Sequence, residues 1–129
     1  MNHDVLANAM SAILNHEKSS KKEIVLNPVS KIIKQVLAIL NTHGYVGQFE
    51  EMTDVKGGFI KLHLLGSINK CGVVKPRFAA MLGEFTKFEK RYLPAEGVGI
   101  IIISTPKGLM TLSEAREKKT GGKLIAYCY

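Results

Sequence analysis

Apolar positions in the first half of the chain recur at two spacings, one typical of helices and one typical of strands. The early apolar residues follow a period near 3.6, which predicts a helix over residues 5–18 with Asp4 as its N-terminal cap. A clearer apolar stripe starts after Ser30 and ends near Gly44, and it predicts a second helix. Shorter apolar stretches predict strands over residues 23–26, 46–52 and 59–65.

The pattern changes from residue 66 onward. Residues 66–77 are polar and turn-like and offer few candidate core residues, so they are predicted to join two domains. After an extended piece, a short charged helix is predicted over residues 84–92. The isoleucines at 100–103 are typical of a strand that is buried on both faces.

Two further elements are predicted towards the C-terminus. Thr111 and Glu114 have the spacing of a capping box, which predicts a helix over residues 112–119. Residues 123–129 alternate enough to form a last strand with one core face. The elements together predict an α+β fold, in which an N-terminal αβαββ domain is packed against a mostly β C-terminal domain with one or two short helices. The predicted domains are residues 1–65 and 66–129.

The charge distribution favours an anionic partner for the second half. The chain of 129 residues has a net charge of +7. Residues 1–65 hold seven Lys or Arg and six Asp or Glu, whereas residues 66–129 hold eleven and five, so nearly all of the excess positive charge lies in the second half. A surplus of this kind binds phosphate and releases counterions, which favours nucleic acid as the partner.

The basic residues of the second half fall in loops and not along one helix, a pattern that suits phosphates and 2′-hydroxyls of folded RNA. One candidate contact is Ser104-Thr105-Pro106-Lys107-Gly108, predicted as a loop between the buried strand and the third helix. Its hydroxyls, its lysine and its glycine suit RNA, although any strand-to-helix loop uses small polar residues. Gly121-Gly122-Lys123 is predicted either as a helix cap and turn or as a second RNA contact.

Other classes of function find less support. The histidines all lie in the first half without metal-ligand spacing, and Ser104 lacks the surroundings of a nucleophile, so neither catalysis nor a metal or cofactor is expected. An alternative is a small phosphate-ligand module at the 104–108 loop, although the Walker and dinucleotide spacings are absent. Cys71 and Cys128 are predicted to remain thiols in a reducing compartment. The lack of a signal peptide and of a long apolar run predicts a cytoplasmic protein without membrane contact.

Several segments, in the order found here, resemble ribosomal protein eight of the small subunit, most closely its archaeal and eukaryotic branch. The segments are Val5 to Ala9, His43 to Gly47, Asn69 to Phe78, Ser104 to Met110, Glu114 to Arg116 and Gly121 to Ile125. The resemblance covers nearly the whole chain. It implies a structural ribosomal protein that binds the central domain of small-subunit ribosomal RNA, chiefly through its C-terminal half, beside neighbouring small-subunit proteins and with no small-molecule substrate. A non-ribosomal RNA-binding regulator is the alternative.

Carried onto this chain, the resemblance places RNA contacts at Ser104, Thr105, Lys107 and Gly108, with Gly121, Gly122 and Lys123 beside them. Asn69, Lys70 and Arg77 are further candidates from the junction, and Lys31 is a candidate from the basic face of the second helix. The chain departs from the bacterial pattern at Pro106, where a second serine is usual, and at Lys123, where many members carry glutamate. A phosphate contact could therefore replace a base contact here.

Overall fold

The computed structural model describes residues 5–26, 30–52, 58–95 and 97–129, so the predicted cap Asp4 lies outside the described residues. The chain forms two compact units, Met1–Lys70 and Cys71–Tyr129. Both units combine helices with an antiparallel sheet, and the α+β fold class is therefore confirmed. None of the described helices is both long and apolar enough to cross a membrane.

The first unit has the predicted αβαββ order of elements. They are α1 (Val5–Lys18), β1 (Glu23–Leu26), α2 (Lys31–Thr42), β2 (Val46–Met52) and β3 (Phe59–Leu64). The strands form an antiparallel sheet in the order β1-β3-β2. Helix α2 begins where the Ser30 hydroxyl accepts a hydrogen bond from the Ile33 N–H at 3.3 Å, as expected for a serine cap. Gly44 follows the helix with a φ of 78°, the left-handed conformation that glycine adopts without strain.

The second unit is built around a five-stranded antiparallel sheet. Its elements are β4 (Cys71–Val73), β5 (Ala79–Ala80), a 3₁₀ turn (Leu82–Glu84), α3 (Phe85–Tyr92), β6 (Ile100–Thr105), β7 (Gly108–Thr111), α4 (Leu112–Glu117) and β8 (Gly122–Cys128). The path through the sheet is β4-β8-β6-β7, and β5 also pairs with β8. Strand β8 is therefore central, with β6 along one edge and β4 and β5 along the other.

The core of the second unit forms where the two short helices pack on this sheet. Phe85 and Phe88 of α3 and Ala115 of α4 are buried in one cluster with sheet residues such as Ile101 and Leu124. The isoleucine run in β6 is buried as predicted, since Ile101, Ile102 and Ile103 are at most 1% exposed. Helix α4 starts with the predicted capping box, in which the Thr111 hydroxyl accepts from the Glu114 N–H at 3.3 Å.

The prediction for residues 66–77 was partly wrong. The segment is not merely a polar junction, because Ile68, Cys71 and Val74 are buried and β4 adds a strand to the second sheet. A strand of three residues is too short to show a period of two, so its polar and glycine-rich flanks dominated the pattern. The boundary between the two units falls within this segment, between Lys70 and Cys71.

Candidate nucleic-acid interface

The segment Ser104 to Gly108 is the tip of a β-hairpin. Ser104 and Thr105 end β6, Gly108 begins β7, and Thr105 is the register partner of Gly108 across a tip made of Pro106 and Lys107. The prediction of a loop leading directly into the third helix was therefore wrong, because a four-residue strand lies between the tip and α4. Strand β6 pairs with β8 as well as with β7, so the base of the hairpin is anchored in the sheet and its tip projects from a rigid support.

The Thr105 side chain holds the tip together. Its hydroxyl donates to the Gly108 carbonyl oxygen at 2.8 Å and accepts from the Lys107 N–H at 3.1 Å. The proline ring at 106 fixes a negative φ, which excludes the mirror-image turns that most two-residue hairpins use. Gly108 takes up the positive φ instead, at 114°. Thr105 is buried and shapes the tip, whereas the Ser104 side chain is exposed.

The turn between α4 and β8 owes its shape to a lysine and two closely packed glycines. Lys119, and not a glycine, has the left-handed backbone conformation after the helix, with a φ of 53°. A side chain at Gly121 would place its first carbon 2.7 Å from the Ala80 carbonyl oxygen, and one at Gly122 would overlap the Ser104 carbonyl oxygen. The interpretation of these glycines as a helix cap was therefore wrong. They are required because neighbouring backbone approaches too closely for any Cβ.

The structure brings the hairpin and this turn together, although they are separated in sequence. Ser104 of β6 pairs with Lys123 of β8, and the Lys107 Nζ donates to the Lys118 carbonyl oxygen at 3.3 Å. The two segments form one continuous surface, the hairpin–turn surface. Its members are Ser104, Thr105, Pro106, Lys107, Gly108, Lys118, Lys119, Gly121, Gly122 and Lys123.

The hairpin–turn surface is basic. The side chains of Lys107, Lys118, Lys119 and Lys123 are exposed, and none forms an ion pair with another described residue. Arg116 differs from them, because it forms an ion pair with Glu89. The hydrogen bond from Arg116 to Glu89 raises the pKa of Arg116, and its positive charge is largely compensated locally. The four lysines therefore supply the uncompensated charge of this surface.

The remaining predicted contact residues lie outside the hairpin–turn surface. Arg77 is exposed and lies two residues before Ala79, which pairs with Lys123, so its backbone approaches the surface from the β5 side. Asn69, Lys70 and Lys31 are exposed in the first unit. Lys34, which shares α2 with Lys31, forms an ion pair with Glu51 at 3.2 Å.

The sequence-based selection of contact residues did not include Lys118 and Lys119. Both belong to the hairpin–turn surface, and Lys118 contacts Lys107 through its backbone carbonyl. The available signal was the position of these lysines next to Gly121-Gly122, because close backbone packing at a glycine pair brings its flanking residues into the same surface. A glycine pair beside a basic run therefore indicates more of the hairpin–turn surface than either motif does separately.

The geometry also bears on the phosphate-ligand alternative. That alternative required the 104–108 segment to precede a helix N-terminus, where backbone N–H groups converge on an anion. Residues 108–111 form β7 instead, and α4 begins only at Leu112 with its first turn capped by Thr111. Among the described residues, no group of three or more His, Cys, Asp or Glu is placed to hold a metal ion. What the surface offers is exposed ammonium groups, one exposed hydroxyl and open backbone at Gly108.

Comparison with known proteins identifies the family of the chain. The family model described as ribosomal protein S8 matches residues 4–129. The small ribosomal subunit protein uS8 of Desulfurococcus amylolyticus is 53% identical over 129 residues, covering 98% of this chain and 97% of the relative. The family match therefore includes both units and every residue of the hairpin–turn surface. On these grounds the chain belongs to the ribosomal protein S8 family.

Proposed function

We propose that the chain is a structural protein of the small ribosomal subunit in the cytoplasm, and that it binds the central domain of the ribosomal RNA through the hairpin–turn surface. In this role it binds RNA as a scaffold beside other small-subunit proteins, and it performs no reaction. Membership of the ribosomal protein S8 family supports the ribosomal assignment. The position of the surface in the more basic half of the chain supports the assignment of the RNA contact.

One observation carries the assignment of the RNA contact to this surface. Two segments with candidate RNA-binding residues, separated in sequence by residues 109–117, are joined by the Ser104–Lys123 pairing and the Lys107–Lys118 hydrogen bond. Core packing alone does not require four lysines around one hairpin tip, because ammonium groups gathered on one surface repel each other. A phosphate backbone relieves this repulsion and releases counterions on binding.

The surface matches the side of an RNA helix that proteins can reach. RNA helices expose a wide, shallow minor groove with 2′-hydroxyls, whereas their major groove is too deep and narrow for side chains. A rigid two-residue tip fits across such a groove, where the Ser104 hydroxyl can both donate and accept hydrogen bonds. Gly108 has no atoms within 4 Å of the position of a Cβ, so the RNA backbone can approach the tip there.

The two departures from the bacterial pattern fit a larger share of phosphate contacts. Pro106 has neither a hydroxyl nor an N–H to offer, so the tip loses a donor and gains stiffness. Lys123 is exposed on the strand that pairs with Ser104, and an ammonium group there neutralises a phosphate where a glutamate would accept from a base. Affinity in this chain therefore depends more on charge, while Ser104 carries the shape-dependent contact.

Replacement of Ser104 by alanine tests this proposal. The purified protein is titrated with a stem from the central domain of small-subunit RNA and with a scrambled stem of equal length. Loss of one hydrogen bond of about 1 kcal/mol is expected to weaken cognate binding roughly fivefold and to leave scrambled binding nearly unchanged. Ser113→Ala on α4 is the matched control, because Ser113 is also exposed but lies outside the surface. Equal losses on both stems, or equal effects of both variants, would contradict the proposal.

A further inference from the structure

The two cysteines of the chain lie opposite each other in the second sheet. Cys71 of β4 is the register partner of Cys128 of β8, although 56 residues separate them in sequence. Both side chains are buried, with 4% and 0% exposure, and they do not form a disulfide. Because side chains alternate along a strand, register partners in an antiparallel pair project from the same face of the sheet. The two sulfur atoms are therefore carried on neighbouring Cβ atoms of one face.

The hydrogen bonding of β4 with β8 shows which kind of pair the cysteines form. The Val74 N–H donates to the Ile125 carbonyl oxygen at 2.9 Å, and these two residues continue the same register beyond Val73 and Ala126. Residues 74 and 125 are thus a hydrogen-bonded pair. Hydrogen-bonded and non-hydrogen-bonded pairs alternate along two antiparallel strands. Cys71 and Cys128 are three positions away from this pair in the same register, so they are a non-hydrogen-bonded pair.

This pair type brings the cysteines within the range of a disulfide. The Cα atoms of a non-hydrogen-bonded pair lie roughly 4.5 Å apart, and its side chains are closer than those of the hydrogen-bonded kind. Cα atoms joined by a disulfide are usually about 4.4 to 6.8 Å apart. The sheet therefore holds the two thiols ready for a bond that needs little backbone movement.

We propose that Cys71 and Cys128 are a redox modification site, at which a low-molecular-weight disulfide such as oxidised glutathione converts the two thiols into an intrachain disulfide. One cysteine thiolate attacks a glutathione sulfur, which forms a mixed disulfide and releases one reduced glutathione. The second cysteine thiolate attacks the protein sulfur of that mixed disulfide and releases the second glutathione. The two protein thiols are oxidised, the glutathione disulfide is reduced, and both protons pass to the glutathione thiolates.

The position of β4 gives the reagent a route to the buried sulfurs. Strand β4 has three residues and lies at the edge of the sheet, and among the described strands it pairs with β8 alone. Short edge strands open locally at low free-energy cost, and local opening of β4 is the route by which the reagent reaches the Cys71 thiol. The bond then ties this edge strand to central strand β8 and fixes the start of the second unit, directly after Asn69 and Lys70.

The test uses the full chain, refolded from urea in the presence of oxidised glutathione so that access does not limit the reaction. We expect two thiols to disappear without addition of glutathione to the product, and a peptide linking Cys71 to Cys128 to appear in non-reducing mass spectrometry. A bond that closes a loop of this length is expected to raise the thermal midpoint by roughly 10 °C, and reductant should reverse the shift. A second sample, oxidised without unfolding, reports whether the folded chain gives the same product.

A double variant, Tyr127→Cys with Cys128→Ala, is the matched control. It keeps two thiols but places them on opposite faces of the sheet, since Tyr127 precedes Cys128 in β8. Circular dichroism establishes that this variant folds, and it should accumulate glutathione adducts or remain reduced. The proposal is overturned if the wild-type chain, folded in oxidised glutathione, keeps both thiols, carries glutathione on them, or links only to a second chain. It is also overturned if the control forms the bond as readily, or if the folded sample remains reduced.

Discussion

Gly122 is the first residue of β8, and its backbone lies close against the end of the neighbouring strand β6. Its own strand, β8, runs between Ala80 of β5 and Ser104 of β6, and the Ser104 carbonyl oxygen occupies the space that a Cβ would need. The neighbouring atom is backbone and cannot rotate away as the end of a flexible side chain could. This residue is therefore fixed by packing, and the proximity of the hairpin to the α4–β8 turn depends on it.

Replacement of Gly122 by alanine is expected to destabilise the second unit. The added methyl group forces β8 and β6 apart, which should lower the free energy of unfolding by about 1 to 3 kcal/mol, the range for an overpacked site. Urea denaturation followed by circular dichroism measures the change. Gly83→Ala is the control, because Gly83 has open space around its Cβ position and should change stability by less than about 0.5 kcal/mol. If the two substitutions lower the free energy of unfolding equally, the close approach of β6 at Gly122 does not restrict the side chain there.

Among the elements, the hairpin β6–β7 shows where the sequence was informative and where it was not. The buried strand β6 could be predicted because consecutive β-branched isoleucines are typical of a buried strand. Strand β7 could not, since Gly108 to Thr111 is four residues long and runs directly into the capping box of α4. The Pro106-Lys107 tip also lacks the Asn-Gly or Asp-Gly signal of common two-residue hairpins.

The same contrast applies to the rest of the fold and to the candidate site. Helix α2 was predictable because its cap at Ser30, its apolar stripe and its end at Gly44 agree with one another. Strand β4 and the role of Gly121 could not be predicted, because both depend on pairing with residues far away in sequence. The site residues were selected segment by segment. Their meeting on one surface follows from the register of β6 with β8, which no local pattern contains.

The hairpin tip should depend on the Thr105 hydroxyl. Thr105→Val keeps the shape of the side chain but removes its hydrogen bonds to Gly108 and Lys107, so the free energy of unfolding is expected to fall by about 1 to 2 kcal/mol. Amide hydrogen exchange should accelerate most at Lys107, because its N–H loses the Thr105 hydroxyl as acceptor. Thr105→Ser, which keeps the hydroxyl, is expected to retain slow exchange at Lys107. If the serine and valine variants exchange equally fast there, the hydroxyl does not hold the tip.

For the whole molecule, the distribution of charge separates the two units more sharply than their secondary structure does. Both units combine helices with an antiparallel sheet, but residues 71–129 hold ten Lys or Arg and five Asp or Glu, a net charge of +5. Residues 1–70 hold eight Lys or Arg and six Asp or Glu, a net charge of +2. Part of the first unit's charge is also compensated by ion pairs, such as Lys34 with Glu51 and Lys61 with Glu23. RNA binding should therefore depend on salt mainly through the second unit.

Two triple variants of equal net charge test this expectation. One replaces Lys118, Lys119 and Lys123 by glutamine, and the other replaces Lys18, Lys21 and Lys22, which are exposed in the first unit. Each lysine that neutralises a duplex phosphate contributes about 0.9 to the slope of log affinity against log salt concentration. The slope for the cognate stem is expected to fall by about 2 to 3 in the first variant and by less than about 1 in the second. Because both variants lose three positive charges, equal slopes would mean that net charge alone governs binding, and the hairpin–turn surface would lose its assignment as the RNA contact.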